Sequence, residues 1–142
     1  MAHLTEQDQE NIALAITEAE KKTSGEIRIA YEKHLRGDAL ERAKEFFFKL
    51  GMDKTAQHNG VLIYLAAEDR KFAIIGDSGI DRLVPEDFWD CTRAAMTADF
   101  KTDSLSKGII TGIKKVAEQL SHYFPPKKDD INELPNDVYI ID

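Results

Sequence analysis

The sequence predicts one α/β domain with a mixed sheet, in which the first two strands are parallel and a hairpin follows, flanked by about four helices. Helical and strand periodicities alternate along the chain, and residues 59–81 have the pattern of two strands joined by a short polar turn. A helix separates the first two strands, and such a crossover normally leaves them parallel. We assign the domain to residues 1–126 and a polar tail to residues 127–142.

The first helix and first strand are predicted from capping and periodicity. Thr5 and Asp8 have the spacing of a capping box, and apolar residues recur at helical spacing up to about residue 22. Residues 26–31 alternate polar and apolar, which is typical of a strand. Ile27 and its alternate neighbours should therefore share one buried face.

The second helix is predicted to begin after Asp38, whose spacing to Glu41 again resembles a capping box. Gly51 is placed to end this helix in a left-handed conformation. A polar link then leads to the hairpin.

The hairpin is the most strongly patterned part of the chain. Residues 61–66 form an unbroken apolar run, which favours a strand covered on both faces, and residues 71–76 form the returning strand. The returning strand ends in Gly76-Asp77-Ser78-Gly79, where the glycines are expected to leave backbone amides uncovered. This loop is the first candidate for a functional site.

Two further helices are expected after the hairpin. Pro85 suits the first turn of a helix that runs to about residue 99. A last helix spans about 104–122, where Gly108 and Gly112 would let a neighbouring element approach closely. In the tail, residues 138–141 either add an edge strand or stay loose, and we expect them to be loose because termini are rarely ordered unless docked.

Composition narrows the class of protein. A net charge of −7 and a pI near 5.1 argue against nucleic-acid binding and favour cationic partners or metal ions. Cys91 has no partner for an internal disulfide, and we expect it to be a buried structural thiol. No signal-like start and no membrane-length apolar run is present, so a soluble, cytoplasmic protein without a transmembrane segment is expected.

The predicted topology brings polar residues together at one edge of the sheet. In a parallel pair followed by a hairpin, the starts of strands one and two meet the end of strand three. These points carry Glu26, Asn59, Asp77 and Asp81, whose oxygen ligands suit calcium or magnesium. In the alternative interpretation, Asn59 and Asp77 only cap turns and Glu26 faces water. His58 lies at the same edge, either as a catalytic group or as a surface histidine.

Several separated motifs give the chain a family resemblance. It resembles the TPM domain family through TSGEIRI (23–29), ERAKEFF (41–47), NGVLIYLA (59–66), KFAIIGDSGI (71–80), Trp89, HYFP (122–125) and NELP (132–135). The resemblance implies an α/β fold, an acid phosphatase activity proposed for a plant member, divalent-cation binding in some members, and roles in the upkeep of membrane protein complexes. The family's recurrent positions fall on Glu26, Asn59, Gly60, Gly76, Asp77, Gly79 and Ile80.

Three functions follow from this interpretation. As a metal-dependent phosphatase, the domain would hold the ion with Asp77 and Glu26 as catalytic ligands. The substrate contacts would then be Arg28, His58, Ser78 and Gly79. As a binding module, the same loops would hold calcium or receive a protein partner without chemistry. A purely structural domain would bind no ion. The lack of an evident nucleophile or basic cluster weighs against the enzyme.

Overall fold

The computed structural model describes residues 4–35, 37–55, 57–102, 105–126 and 139–141. In chain order, its elements are α1 (Glu6–Ala19), β1 (Glu26–Glu32), α2 (Ala39–Lys49), a 3₁₀ helix (Met52–Lys54), β2 (Gly60–Ala66), β3 (Lys71–Gly76), α3 (Ser78–Asp81), α4 (Asp90–Phe100), α5 (Leu105–Leu120) and β4 (Tyr139–Ile141). The strands form one sheet in the order β3-β2-β1-β4. The predicted α/β fold class is confirmed.

The strand directions match the sequence prediction. β1 and β2 are parallel, and β2 and β3 form the antiparallel hairpin. β4 pairs in parallel with the end of β1, with Tyr139 opposite Ala30. The expectation of a loose tail therefore does not hold for residues 139–141, because strand pairing docks them at the sheet edge. Residues 127–138 lie outside the described part of the chain.

Helices cover both faces of the sheet. The apolar cluster on one face joins the sheet to α1, α4 and α5, and that on the other face joins it to α2. All seven residues of β2 are buried, which confirms a strand covered on both faces. α4 and α5 pack closely, since a Cβ on Gly108 would lie 2.3 Å from the Phe100 ring and one on Gly112 would lie 2.6 Å from Met96 Sδ.

Capping residues fix the helix ends as the sequence indicates. Thr5 and Asp8 form a reciprocal capping box at the start of α1, and the Asp38 side chain accepts the Glu41 N–H at the start of α2. Gly51 ends the α2 region with a φ of 72°, the left-handed conformation expected for it.

Two expectations for the region after the hairpin are wrong. α4 begins at Asp90 and not at Pro85, because the preceding residues form successive turns in which the Phe88 N–H bonds to the Pro85 carbonyl. Trp89 is buried in the core at the N-cap position. Cys91, which follows in the first turn of α4, is exposed and not buried.

Within the ranges that the structure describes, every helix is too short or too polar to cross a bilayer.

Candidate functional site

The candidate site lies where β1 and β2 begin and β3 ends. Glu26 pairs in register with Gly60, and Val61 pairs with Gly76, so the three strand ends meet as the topology predicts. We call residues 55, 57–60 and 76–81 the sheet corner. Its backbone is closed by two hydrogen bonds, from the Asp77 N–H to the Gly60 carbonyl (2.9 Å) and from the Gly79 N–H to the His58 carbonyl (2.9 Å).

Asp77 is the central side chain of the sheet corner. Its Oδ1 accepts the Ser78 N–H at 2.7 Å, so the residue caps α3 as the alternative interpretation expected. Its Oδ2 is buried and accepts no hydrogen bond from the described residues. His58 Nδ1 lies 3.4 Å from Oδ2, but the two atoms do not have hydrogen-bond geometry. One carboxylate oxygen is therefore desolvated without a donor.

The loop that carries His58 is held against α3 with little clearance. His58 has a φ of 50°, a left-handed value that is uncommon for a residue other than glycine. A Cβ on Gly79 would lie 2.3 Å from the Gln57 carbonyl oxygen and 2.5 Å from that of His58. Glycine is thus needed at position 79 for the two loops to meet. The His58 side chain remains 52% exposed beside Asp77.

The backbone amides of residues 77–81 are hydrogen-bonded, so the expectation that they are uncovered is wrong. The Ser78 and Gly79 amides bond to Asp77 Oδ1 and to the His58 carbonyl. The Ile80 and Asp81 amides both bond to the Asp77 carbonyl. The short helix α3, which the sequence did not predict, uses these donors itself. Ser78 could contact a ligand only through its exposed hydroxyl.

Two buried side chains of the sheet corner have polar atoms without a hydrogen-bond partner among the described residues. Asn59 is 2% exposed and Thr55 is 3% exposed. Neither Asn59 Nδ2 nor Thr55 Oγ1 has a hydrogen-bond partner among the described residues. Buried polar groups normally find partners, and leaving one unsatisfied costs about 1–3 kcal/mol. The sheet corner therefore combines an unsatisfied acceptor on Asp77 with unsatisfied donors.

Asp81 adds a second carboxylate at the end of α3. Loss of hydration raises the pKa of Asp81 above its usual value, and repulsion from the Asp77 carboxylate raises it further. The second effect follows from the nearness of the Asp81 and Asp77 side chains. A cation near both would relieve this repulsion.

Glu26 and Arg28 form ion pairs outside the group of residues described so far. Arg28 Nη2 donates to Glu26 Oε2 at 3.0 Å, and Arg28 Nη1 donates to Glu20 Oε2 at 2.6 Å. Glu26 is 3% exposed, so the alternative in which it faces water is wrong. Glu20 was not among the predicted site residues, because its only signal in the sequence is its position at the C-terminal end of α1. A guanidinium shared by two carboxylates is poorly placed to hold a phosphate.

The four predicted metal ligands thus separate into two groups. Asp77, Asp81 and Asn59 belong to the sheet corner, whereas Glu26 is engaged with Arg28. In the part of the chain described, no three His, Cys, Asp or Glu side chains are arranged to hold a metal ion. The sheet corner contains two carboxylates, those of Asp77 and Asp81. A site with one or two carboxylates and bound water is typical of magnesium.

A second buried polar network lies at the opposite end of β1 and was also missed. Arg42 holds Glu32 with two hydrogen bonds, at 2.9 and 3.1 Å, and the Tyr64 hydroxyl donates to the same carboxylate. Burial raises the pKa of Tyr64, and the bond to Glu32 raises it further. Arg42 also lies 4.5 Å from the centre of the Phe46 ring. These contacts tie α2 to the sheet, far from the sheet corner along β1.

Comparison with known proteins establishes the family. The chain is similar to the BA42 protein of the psychrophilic bacterium Bizionia argentinensis, solved by NMR, with 48% identity and a TM-score of 0.91 over 97% of this chain and 95% of that one. It shares its fold with the N-terminal domain of the cg2496 protein of Corynebacterium glutamicum, at 16% identity and a TM-score of 0.65 over 82% of this chain and 73% of that one. Curated proteins give no match. The TPM domain model matches residues 2–119, and the chain therefore belongs to the TPM domain family.

Proposed function

We propose that the sheet corner binds a divalent cation, calcium or magnesium, together with a phosphate monoester, and that the domain is a metal-dependent phosphatase. One observation carries this proposal: an unsatisfied carboxylate oxygen on Asp77 occurs in the same corner as unsatisfied donors on Asn59 and Thr55. A cation alone would satisfy Asp77 but leave the Asn59 amide unpaired. A cation accompanied by an anion would satisfy both.

The residues of the corner fit a cation in a restricted way. Asp77 Oδ2 is the best ligand because it is buried and accepts no hydrogen bond from the described residues. Asp81 would be the second ligand, directly or through water, since its charge is coupled to that of Asp77. A divalent ion held there would polarise a phosphoryl oxygen and lower the pKa of a bound water.

The remaining groups of the corner would act on the phosphate. The exposed Ser78 hydroxyl would donate to its oxygens directly, whereas the buried Asn59 Nδ2 and Thr55 Oγ1 would donate to them only after the loop that carries His58 moves. The half-exposed imidazole of His58, oriented by Asp77, would pass a proton to the leaving oxygen. The catalytic roles thus fall on Asp77 and His58, while Glu26 and Arg28 support β1.

A second candidate function is cation or partner binding without hydrolysis. It is favoured by the occupied amides of α3 and by the engagement of Arg28 with Glu20 and Glu26. Phosphoryl transfer relies on groups that stabilise negative charge, and both features remove such groups from the sheet corner.

An NMR titration followed by an activity assay separates these functions. Chelator-treated protein is titrated with calcium and with magnesium, and hydrolysis of p-nitrophenyl phosphate is then measured with and without the ion. Asp77→Asn removes the proposed ligand. Glu41→Gln is the matched control, because it removes one carboxylate charge at an exposed position on α2, near the opposite end of the sheet.

Each outcome has a distinct meaning. The phosphatase proposal expects saturable shifts in the sheet corner and ion-dependent hydrolysis, both lost in Asp77→Asn and kept in Glu41→Gln. Ion binding without hydrolysis would favour the binding module. Flat spectra at millimolar ion, with no hydrolysis, would overturn the phosphatase and cation binding and would leave partner binding as the function.

A further inference from the structure

A groove on the helical face of the domain lies between α1 and α5. The two helices run side by side, and their C-terminal ends are joined where the Thr23 hydroxyl and the Ser24 N–H both bond to the Phe124 carbonyl. The groove has a volume of about 270 Å³. Its lining is Asn11, Leu14, Ala15, Glu18, Ala19 and Lys22 from α1 and its C-terminal end, with Ile110, Lys114 and Ala117 from α5.

The floor of the groove is apolar and exposed to solvent. Leu14 is 60% exposed, although it lies on a helix that packs against the core. Ala15 and Ile110 beside it are only partly buried. The small side chains of Ala15, Ala19 and Ala117 leave the space that larger residues would fill. Covering this apolar surface with another apolar group removes it from water, which is favourable in free energy.

The rim of the groove carries positive charge. Glu18 is paired with Lys21 at 3.1 Å, so its charge is already compensated. Lys22 and Lys114 are both exposed, and among the described residues neither forms an ion pair. These ammonium groups are available to an anion although the chain as a whole has a net charge of −7.

We propose that this groove binds a single-chain anionic amphiphile, a fatty-acid carboxylate, with its alkyl chain on the apolar floor and its head group near Lys22 and Lys114. On α5 the apolar floor runs about 10 Å from Ile110 to Ala117, which suits a saturated alkyl chain of about nine carbons, the length found in decanoate. The volume of about 270 Å³ is slightly below the range of drug-sized ligand sites, which begins at about 300 Å³, and therefore favours a small, single-chain ligand.

The negative net charge of the chain favours this ligand over an acidic protein partner. An acidic protein segment would match the two lysines, but the negative field of the whole domain would repel it during approach. A ligand with one negative charge experiences much less repulsion. The proposal uses none of the residues of the sheet corner, so it stands or fails independently of the phosphatase.

The test is a ¹H–¹⁵N NMR titration of the full chain with sodium decanoate below its micelle concentration. Decanol provides an uncharged ligand of the same chain length. We expect saturable shifts confined to residues 11–22 and 110–117, with weaker binding of decanol. Lys22→Glu and Lys114→Glu should each weaken decanoate binding by about threefold, because exposed charge pairs are worth less than about 1 kcal/mol. Decanol binding should not change in either variant.

The control variant is Lys115→Glu, which makes the same charge change on the neighbouring exposed residue of α5 but does not line the groove. It should bind decanoate as the parent protein does. Equal binding of decanoate and decanol, equal loss in Lys115→Glu, or no saturable shift would each overturn the proposal. Shifts of the same residues that depend on protein concentration without ligand would assign the groove to self-association and would also overturn it.

Discussion

At the scale of single residues, Gly79 shows how strictly the sheet corner is packed. Its Cα faces two carbonyl oxygens of the opposite loop, and backbone atoms cannot move aside as a flexible side chain can. We expect Gly79→Ala to lower the free energy of unfolding by about 2 kcal/mol, as overpacking typically does. Urea denaturation measures the loss, and NMR shifts of Asp77 and His58 should show that the corner has opened.

Gly37→Ala is the control for that prediction. Gly37 also has a positive φ, 88°, but nothing lies within 4 Å of an added Cβ. Gly37→Ala should lower the free energy of unfolding by about 1 kcal/mol, from backbone strain alone. The NMR signals of the sheet corner should not change. If both variants disturb the corner equally, close packing at Gly79 is not the cause.

Asp81 provides a pH-dependent prediction. Its raised pKa means that the folded chain binds the proton more tightly than the unfolded chain, so ionised Asp81 lowers stability at neutral pH. This lost stability returns as the pH falls from the folded-state pKa to below the unfolded-state pKa. Asp81→Asn should therefore raise the thermal midpoint at pH 7 in chelator, by less than about 1 kcal/mol in free energy because the group is exposed.

The gain from Asp81→Asn should vanish near pH 3, where the carboxyl of the parent protein is protonated in both states. Thermal unfolding at the two pH values, with Glu41→Gln as the matched charge control, measures this difference. A variant that is less stable than the parent at pH 7 would show that Asp81 stabilises the fold through a contact and not by repulsion.

At the scale of elements, β1 shows what periodicity can and cannot reveal. The alternation of residues 26–31 correctly predicts a strand and its apolar face. It also suggests that the polar residues face water, yet all seven residues of β1 are buried. Glu26, Arg28 and Glu32 are covered because partners from other elements, Glu20 and Arg42, complete their hydrogen bonds. Such partners are distant in sequence, so no local pattern indicates them.

The Arg28 pairs provide a prediction for β1 as an element. Arg28→Met would leave the Glu20 and Glu26 carboxylates without their shared cation in a buried place. Breaking a buried ion pair in this way costs about 3 kcal/mol or more. Urea denaturation at pH 7 should show this loss.

Arg93→Met is the comparison for Arg28→Met, because it breaks an exposed pair with Asp90 on α4. It should change the free energy of unfolding by less than about 1 kcal/mol. Similar losses in the two variants would mean that the contacts of Arg28 contribute no more than a surface pair.

At the scale of the whole molecule, topology was the most informative part of the sequence. The crossover and the hairpin fix which strand ends meet, and the register confirms that Glu26, Gly60 and Gly76 fall at one edge. Residue-level chemistry at that edge was less predictable, because α3 and the loop of residues 57–59 decide which atoms remain unsatisfied. Four residues with a central glycine give no helical signal, so the use of the corner's amides by α3 could not be foreseen.

The sheet edge formed by β4 provides the prediction that concerns the whole fold. β4 covers the end of β1 with three residues, and without it the last residues of β1 would have an unpaired edge. We expect a chain that ends at Pro126 to keep its fold and to lose protection, measured by hydrogen exchange, only at those amides of residues 30–32 that point toward β4, since the others bond to β2. Residues 61–66, buried in the middle of the sheet, should keep theirs, because their partners on β1 and β3 are unchanged.

A full-length variant with Gly-Ser-Gly in place of Tyr139–Ile141 separates strand pairing from chain length. If β4 protects β1 through pairing, this variant and the shortened chain should lose the same amides, since glycine and serine favour a strand less than the residues they replace. Protection that persists in both would show that β4 contributes little to the edge. If protection is lost only in the shortened chain, the protection of β1 depends on the presence of the tail and not on pairing with β4.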